Sequence, residues 1–244
     1  MRVTVLGSGD AFGSGGRRQS SYLVQAGGRT LLMDAGPSVL AALKDARVSP
    51  GDIDAILLSH LHGDHFGGIP FLMMEYQYET PRTRPLTIAG PRGTEERVRD
   101  LFRAMYKEAS GRPLGYPVRF VTMEGGKNLE VAGIPVEPFT VPHQEVEPSL
   151  GFRVRLDGRT VMYSGDSGWT EEFVRRSAGT DLFICECCYY DSRYDFHINY
   201  PEFEKNAPRL EAKRVVLTHL GREVLEKLDR LKLETVRDGM VLEV

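Results

Sequence analysis

Apolar residues fall in short β-branched runs broken by glycine, proline and charge, and the period of the runs changes along the chain. RVTVLG reads as a first strand, followed by the glycine-rich GSGDAFGSGG. SYLVQA and RTLLMDAG read as two more strands, with Gly27 and Gly28 as the hairpin turn between them. PSVLAALKDA predicts a helix with Pro37 in its first turn. IDAILLSH is a buried strand, and FGGIPFLMMEYQYE a helix that starts close behind it. PLTIAGP is a strand and RGTEERVRDLFRAMYKEA an amphipathic helix with an outer charged face. From Val118 strands dominate: VRFVTM, NLEVAG, IPVEPFTV, SLGFRVRLDG and RTVMYSGD. Two α/β units follow, TEEFVRRSA into TDLFICEC and YPEFEKNAPRLEA into KRVVLTH, before a last helix and the strand MVLEV. Strands and helices mixed in this way predict an α/β (α+β) fold in one domain over residues 1–244, two facing sheets with helices outside.

Composition changes this picture little. A chain of 244 residues can bury a substantial core, and its net charge of −3 offers no general attraction to nucleic acid or anionic membrane. Positive charge is uneven: residues 82–119 carry nine basic side chains against four acidic ones, either a solvated helix face or an anion-attracting rim. No apolar run approaches a membrane span, and MRVTVLGSGD turns polar too early for a signal peptide. Cys185, Cys187 and Cys188 crowd together in ICECCYY. They read as small buried apolar residues of a cytoplasmic protein, or as soft-metal ligands without a second group to complete a site.

Histidine is where the pattern becomes chemical. The chain has six, and three of them stand in SHLHGDH together with Asp64. His60 and His62 could face one side of a turn while Asp64 and His65 aim elsewhere; four donors this dense suit two ions better than one. His143 follows FTV, Asp166 ends VMYSGD and His219 ends VVLTH, so each lies near the end of a β-branched strand, as His60 does. Layered α/β folds gather ligands at the carboxyl ends of strands, so several strands are expected to deliver donors to one edge. Asp34, ending LLMD, is either support for a ligand histidine or Asp64, or a simple turn carboxylate.

SHLHGDH with the following FGG, the strand-end His143 and Asp166, and LTH together resemble the metallo-β-lactamase superfamily over essentially the full chain. The resemblance implies a four-layer αββα sandwich holding two divalent ions, zinc first, with manganese or iron accepted by the same donors. It implies that His60, His62 and His143 bind one ion, that Asp64, His65 and His219 bind the other, and that Asp166 bridges them. Water shared by two such cations loses a proton near neutral pH and becomes the nucleophile.

The opening VLGSGDAFGSGGRRQSSYLV resembles the ribonuclease Z branch, as does CECCYYDSRYDFHINY, where a glutamate and a later histidine assist cleavage. This implies catalytic roles for His197 and Glu186 beside Asp64: His197 protonates the leaving alkoxide or steadies phosphorane charge, and Glu186 orients it. A solvent-facing loop is the other reading of His197. One departure stands out. Ribonuclease Z enzymes carry a long tRNA-gripping arm between the third ligand histidine and the bridging aspartate, where this chain has 22 residues. The expected substrate is therefore a small phosphodiester such as a cyclic nucleotide, not tRNA. A lactonase or thioesterase on the same ions, and a non-catalytic metal-binding sensor, are the alternatives. GSGDAFG fails the dinucleotide spacing and GDSG lacks the nucleophile-elbow order. The apolar excess of FGGIPFLMMEYQYE is core or a homodimer face. Tyr189, Tyr190, Tyr194, Tyr200 and Phe66 either line the substrate mouth or pack inside.

Overall fold

The computed structural model describes residues 1–244. The β-branched runs pair into two seven-stranded sheets. The first contains β1 (Arg2–Gly7), β2 (Ser21–Ala26), β3 (Arg29–Met33), β4 (Ala55–Leu57), β5 (Leu86–Gly90) and β6 (Val118–Thr122) in that order, with β14 (Val241–Glu243) outside β1. The second runs β7 (Leu129–Val131), β8 (Ile134–Val141), β9 (Ser149–Leu156), β10 (Arg159–Tyr163), β11 (Leu182–Glu186), β12 (Val215–Thr218) and β13 (Glu234–Thr235). Each sheet is antiparallel in one half and parallel in the other.

Alternation along the strands decides the layers. Val3, Val5, Tyr22, Val24, Leu31 and Met33 point between the sheets and meet Phe152, Val161 and Ile184 of the second sheet. Leu23, Leu32, Ile56 and Ile88 point the other way, against α1 (Val39–Asp45), α3 (Ile69–Tyr78) and α4 (Thr94–Met105). Leu6, next in the alternation after Val5, faces that helical side too, where the β1–β2 register shifts between Val5 and Gly7. On the second sheet, Phe183 and Leu217 pack against Phe173 of α6 (Glu171–Ser177), Phe203 of α7 (Tyr200–Asn206) and Val224 of α8 (Arg222–Leu225). The layers are therefore helix, sheet, sheet, helix, as expected.

Some elements differ from their sequence reading. The helix expected through Ala109 breaks at Tyr106 (φ −135°, ψ 65°) and restarts as α5 (Lys107–Ser110). Pro37, expected in the first turn of α1, lies just before its N-cap Ser38, and α7 gives way at Asn206 to a 3₁₀ turn containing Pro208, whose ring removes a helical donor. The apolar excess of α3 is mostly absorbed inside: Ile69, Leu72, Met73 and Tyr76 are buried, and Tyr78 at the far end is exposed. All three cysteines are buried and unpaired. No helix is long and apolar enough to cross a membrane.

The two sheets touch where β4 and β9 begin or end their neighbouring loops. The Leu150 amide donates to the Ser59 carbonyl at 2.9 Å, and a Cβ on Gly165 would stand 2.8 Å from the Ser59 Cβ. This edge carries the histidines.

Candidate metal centre

β4 ends at Leu57 and delivers Ser59 and His60; His62 then caps α2 (Gly63–Phe66), which carries Asp64 and His65. His143 follows β8, Asp166 follows β10 and His219 follows β12. The seven side chains expected to bind metal converge in two groups, His60–His62–His143 and Asp64–His65–Asp166–His219, each with its donor atoms within 4.8 Å of one another. Asp166 faces both. Its Oδ1 lies 3.2 Å from His65 Nε2, and its Oδ2 lies 3.3 Å from His219 Nε2, 3.9 Å from His143 Nε2 and 4.0 Å from His60 Nε2.

Hydrogen bonds behind the rings set which nitrogen faces inward. Ser59 Oγ donates its single proton to Asp34 Oδ2, so at 3.0 Å it accepts from His60 Nδ1. His65 Nδ1 donates to Asp34 Oδ2 at 2.7 Å, and His143 Nδ1 donates to the Phe196 carbonyl at 3.0 Å. All three imidazoles thus commit Nδ1 to a partner behind the ring and turn Nε2 toward the centre. Asp34 does this from a left-handed backbone (φ 54°) and also accepts from the Ser59 amide and the Tyr163 hydroxyl. It supports His60 and His65 rather than Asp64.

These residues fit divalent metal. His60 Nε2, His65 Nε2 and Asp166 Oδ1 are buried without a hydrogen-bond partner, a costly state for polar atoms unless something positive sits among them. Metal–nitrogen bonds of about 2.0–2.1 Å at tetrahedral angles place ligand atoms about 3.3 Å apart. The 3.0 Å between His62 Nδ1 and His143 Nε2 and the 3.4 Å between His219 Nε2 and Asp64 Oδ2 bracket that spacing. Burial holds the His60 imidazole well below its usual pKa, which keeps it an unprotonated donor.

His197 stands beside the group. Its ring lies 4.8 Å from that of His143 and stacks on His219 at 5.8 Å, the planes 9° apart. Its Nδ1 bonds Glu186 Oε1 at 2.8 Å. Glu186 is fully buried and accepts the amides of Ser167, Cys188 and Ile198 as well. Burial alone would lower the His197 pKa, but the Glu186 carboxylate outweighs it and pushes the imidazole up to about 9.

Of the aromatic candidates, Tyr189 and Tyr194 pack together at 4.7 Å beside His197, and Tyr194 is exposed. Tyr200 stacks on Tyr190 and is buried in the outer helical core, and Phe66 is buried beneath Arg97. Neither Tyr200 nor Phe66 lines a mouth; both fill core. Sequence reading passed over Ser59 and Tyr163, the partners of Asp34; Cys188, read as a small buried apolar residue or a soft-metal ligand, is buried with its thiol within 4.8 Å of donor atoms of His197 and His219. No spacing signal marks the first two, because their role depends on the sheets meeting. Between His143 and Asp166 the chain forms a short loop and the β9–β10 hairpin, with no projecting arm.

The family model described as Anti-Pycsar protein Apyc1 matches residues 1–239. The chain belongs to this family. Curated relatives of the Apyc1-family chain carry the name ribonuclease Z. That of Mycolicibacterium paratuberculosis is 28% identical over 239 residues, covering 90% of this chain and 85% of the relative. That of Mycobacterium marinum is 26% identical over 244 residues, covering 90% and 86%. Among solved structures, the metallo-β-lactamase fold protein YhfI of Bacillus subtilis is similar with a TM-score of 0.78 at 25% identity, covering 100% of this chain and 98% of that one. The short form of human tRNase Z gives 0.79 at 25%, covering 100% and 99%. The Apyc1-family chain is therefore a metal-dependent hydrolase of the metallo-β-lactamase fold, ribonuclease Z-like in sequence and structure.

Proposed function

We propose that the chain hydrolyses a small phosphodiester, with a cyclic nucleotide as the substrate class, at a centre of two divalent cations. The observation that carries this reading is Asp166, whose two oxygens face the two donor groups, with His197 fixed alongside. On this reading His60, His62 and His143 hold one cation, Asp64, His65 and His219 the other, and Asp166 both. Zinc suits the imidazole-rich set, and manganese or iron suit the same donors. Such cations, when bound, supply Lewis acidity toward a phosphoryl oxygen and make water acidic enough to attack near neutral pH.

The chain's own residues do the rest. Asp34, through Ser59 and directly, keeps the Nδ1 protons of His60 and His65 outward so that both Nε2 atoms remain donors. Glu186 holds Nδ1 of His197, which leaves Nε2 to give a proton to the departing alkoxide or a hydrogen bond to the phosphoryl oxygens. Tyr189 and Tyr194, packed together beside His197, offer an aromatic surface to a base. The absence of an arm between His143 and Asp166 leaves no lever for a long RNA.

The test is a substrate panel with metal-loaded protein: cyclic mononucleotides, bis-p-nitrophenyl phosphate, a precursor tRNA, a lactone and a thioester. Preferential opening of a cyclic phosphodiester is expected. Faster turnover of the lactone or thioester, or efficient trimming of the precursor tRNA, overturns the assignment.

A further inference from the structure

A cavity of about 380 Å³ lies in the helical layer over the first sheet, and no residue of the histidine centre lines it. It exists because the chain breaks at Tyr106, so that α5 and the loop after it fold beside α4 instead of continuing it. Val98 and Phe102 form apolar wall, and Arg99, Arg103 and Arg112 line it with no acidic residue among the lining side chains. Arg99 is paired with Glu95 and Arg103 with Asp100 along α4. Arg112 is exposed and its guanidinium has no partner in the protein.

Tyr116 supplies the independent observation. It lines this cavity, is 4% exposed, and its hydroxyl has no hydrogen-bond partner. Other buried tyrosines are satisfied: Tyr22 by Thr218, Tyr76 by the Pro50 carbonyl and Tyr163 by Asp34. An orphaned buried hydroxyl costs stability unless a guest completes it. The cavity thus presents an unpaired cation at its exposed edge, an apolar aromatic wall, and an unused polar group at a buried position.

We propose that this cavity binds an aromatic monocarboxylate carrying a hydrogen-bond acceptor at the end opposite its charge. The carboxylate pairs with the planar guanidinium of Arg112, the ring packs on Phe102, and the distal acceptor takes the Tyr116 proton. A simple fatty chain fits less well, because it leaves the hydroxyl unpaired. The site is independent of the hydrolytic reading.

The experiment is calorimetric titration of the full chain with para-acetylbenzoate and with para-isopropylbenzoate, which has the same shape without the acceptor. Saturable one-to-one binding is expected, about tenfold tighter for the acetyl compound, the worth of one buried hydrogen bond. Tyr116→Phe should erase that difference while leaving the isopropyl compound unchanged, and Arg112→Ala should weaken both. Thermal melts of the unliganded variants confirm that they fold, and Ser110→Phe, at the cavity wall, should block both compounds if Tyr116→Phe does not fold. No saturable binding, or an acetyl preference that survives Tyr116→Phe, overturns the proposal. So does a stable dimer whose footprint protects this face, since a second copy would then be the occupant.

Discussion

The Asp34 carboxylate accepts a hydrogen bond from His65 Nδ1 at 2.7 Å, and neither side chain is exposed to solvent. The same oxygen accepts from Ser59 Oγ, which in turn accepts from His60. One carboxylate therefore sets the orientation of a histidine in each donor group. Asp34→Asn places a donor among these donors and is expected to weaken metal affinity about 10–100-fold. Competition against a chromophoric chelator measures it, and unchanged affinity would show that Asp34 only closes a turn.

His197→Ala should lower kcat on a substrate with a poor alkoxide leaving group by about 10²–10⁴-fold. On bis-p-nitrophenyl phosphate, whose leaving group needs no proton, the loss should be much smaller. Metal content should not change. Equal losses on both substrates would exclude proton donation by His197.

A Cβ on Gly168 would lie 1.9 Å from the Asp195 carbonyl, so the segment carrying His197 sits directly against that glycine. Gly168→Ala must push Asp195 and its neighbours away. The expected variant binds metal normally but loses activity on the alkoxide substrate, as His197→Ala does. Elemental analysis beside steady-state kinetics separates this from general unfolding.

Glu223 tethers the loop before His197, accepting the amides of Tyr190, Asp191 and Ser192 and the Ser192 hydroxyl. Partial burial would raise its pKa, but the Ser192 hydroxyl and these amides outweigh it and hold it at about 2. The unfolded value is about 4.3, so this stabilisation is complete above it and fades as pH falls toward 2. Urea midpoints of the native chain and Glu223→Gln should therefore converge between about pH 5 and pH 2. A constant gap across that window would refute the tether.

Chelation of the protein should abolish hydrolysis and lower the melting temperature, with both restored by added zinc, because a ligand bound only to the folded state stabilises it. A melt insensitive to chelator would count against cations at this centre.

The donors themselves were legible because chemistry and position coincide: His60, His143, Asp166 and His219 each follow an apolar run, and the run names the strand whose end they occupy. Their supports were not. Ser59 and Tyr163 matter only after two sheets have met, and nothing local distinguishes them from any serine or core tyrosine. Helix ends were blurred for a different reason. The apolar period continues past Tyr106 although its backbone leaves the helical region, and IDAILLSH stays apolar although only Ala55, Ile56 and Leu57 pair as strand. YPEFEKNAPRLEA was read through Pro208, although α7 ends at Asn206. Tyr200 and Phe66 looked like pocket residues by nearness in sequence, and packing turned both inward.

His60, His62, Asp64 and His65 hang from the first sheet, while His143, Asp166 and His219 hang from the second. Half a folded molecule would accordingly offer an incomplete cage. Whatever free energy the cage gains on filling is spent across the seam, riveting one half to the other, so metal bound there would act as a fastener as well as a reagent. A chain starved of metal should gape first along this edge, with the opposite rim of the sandwich still shut.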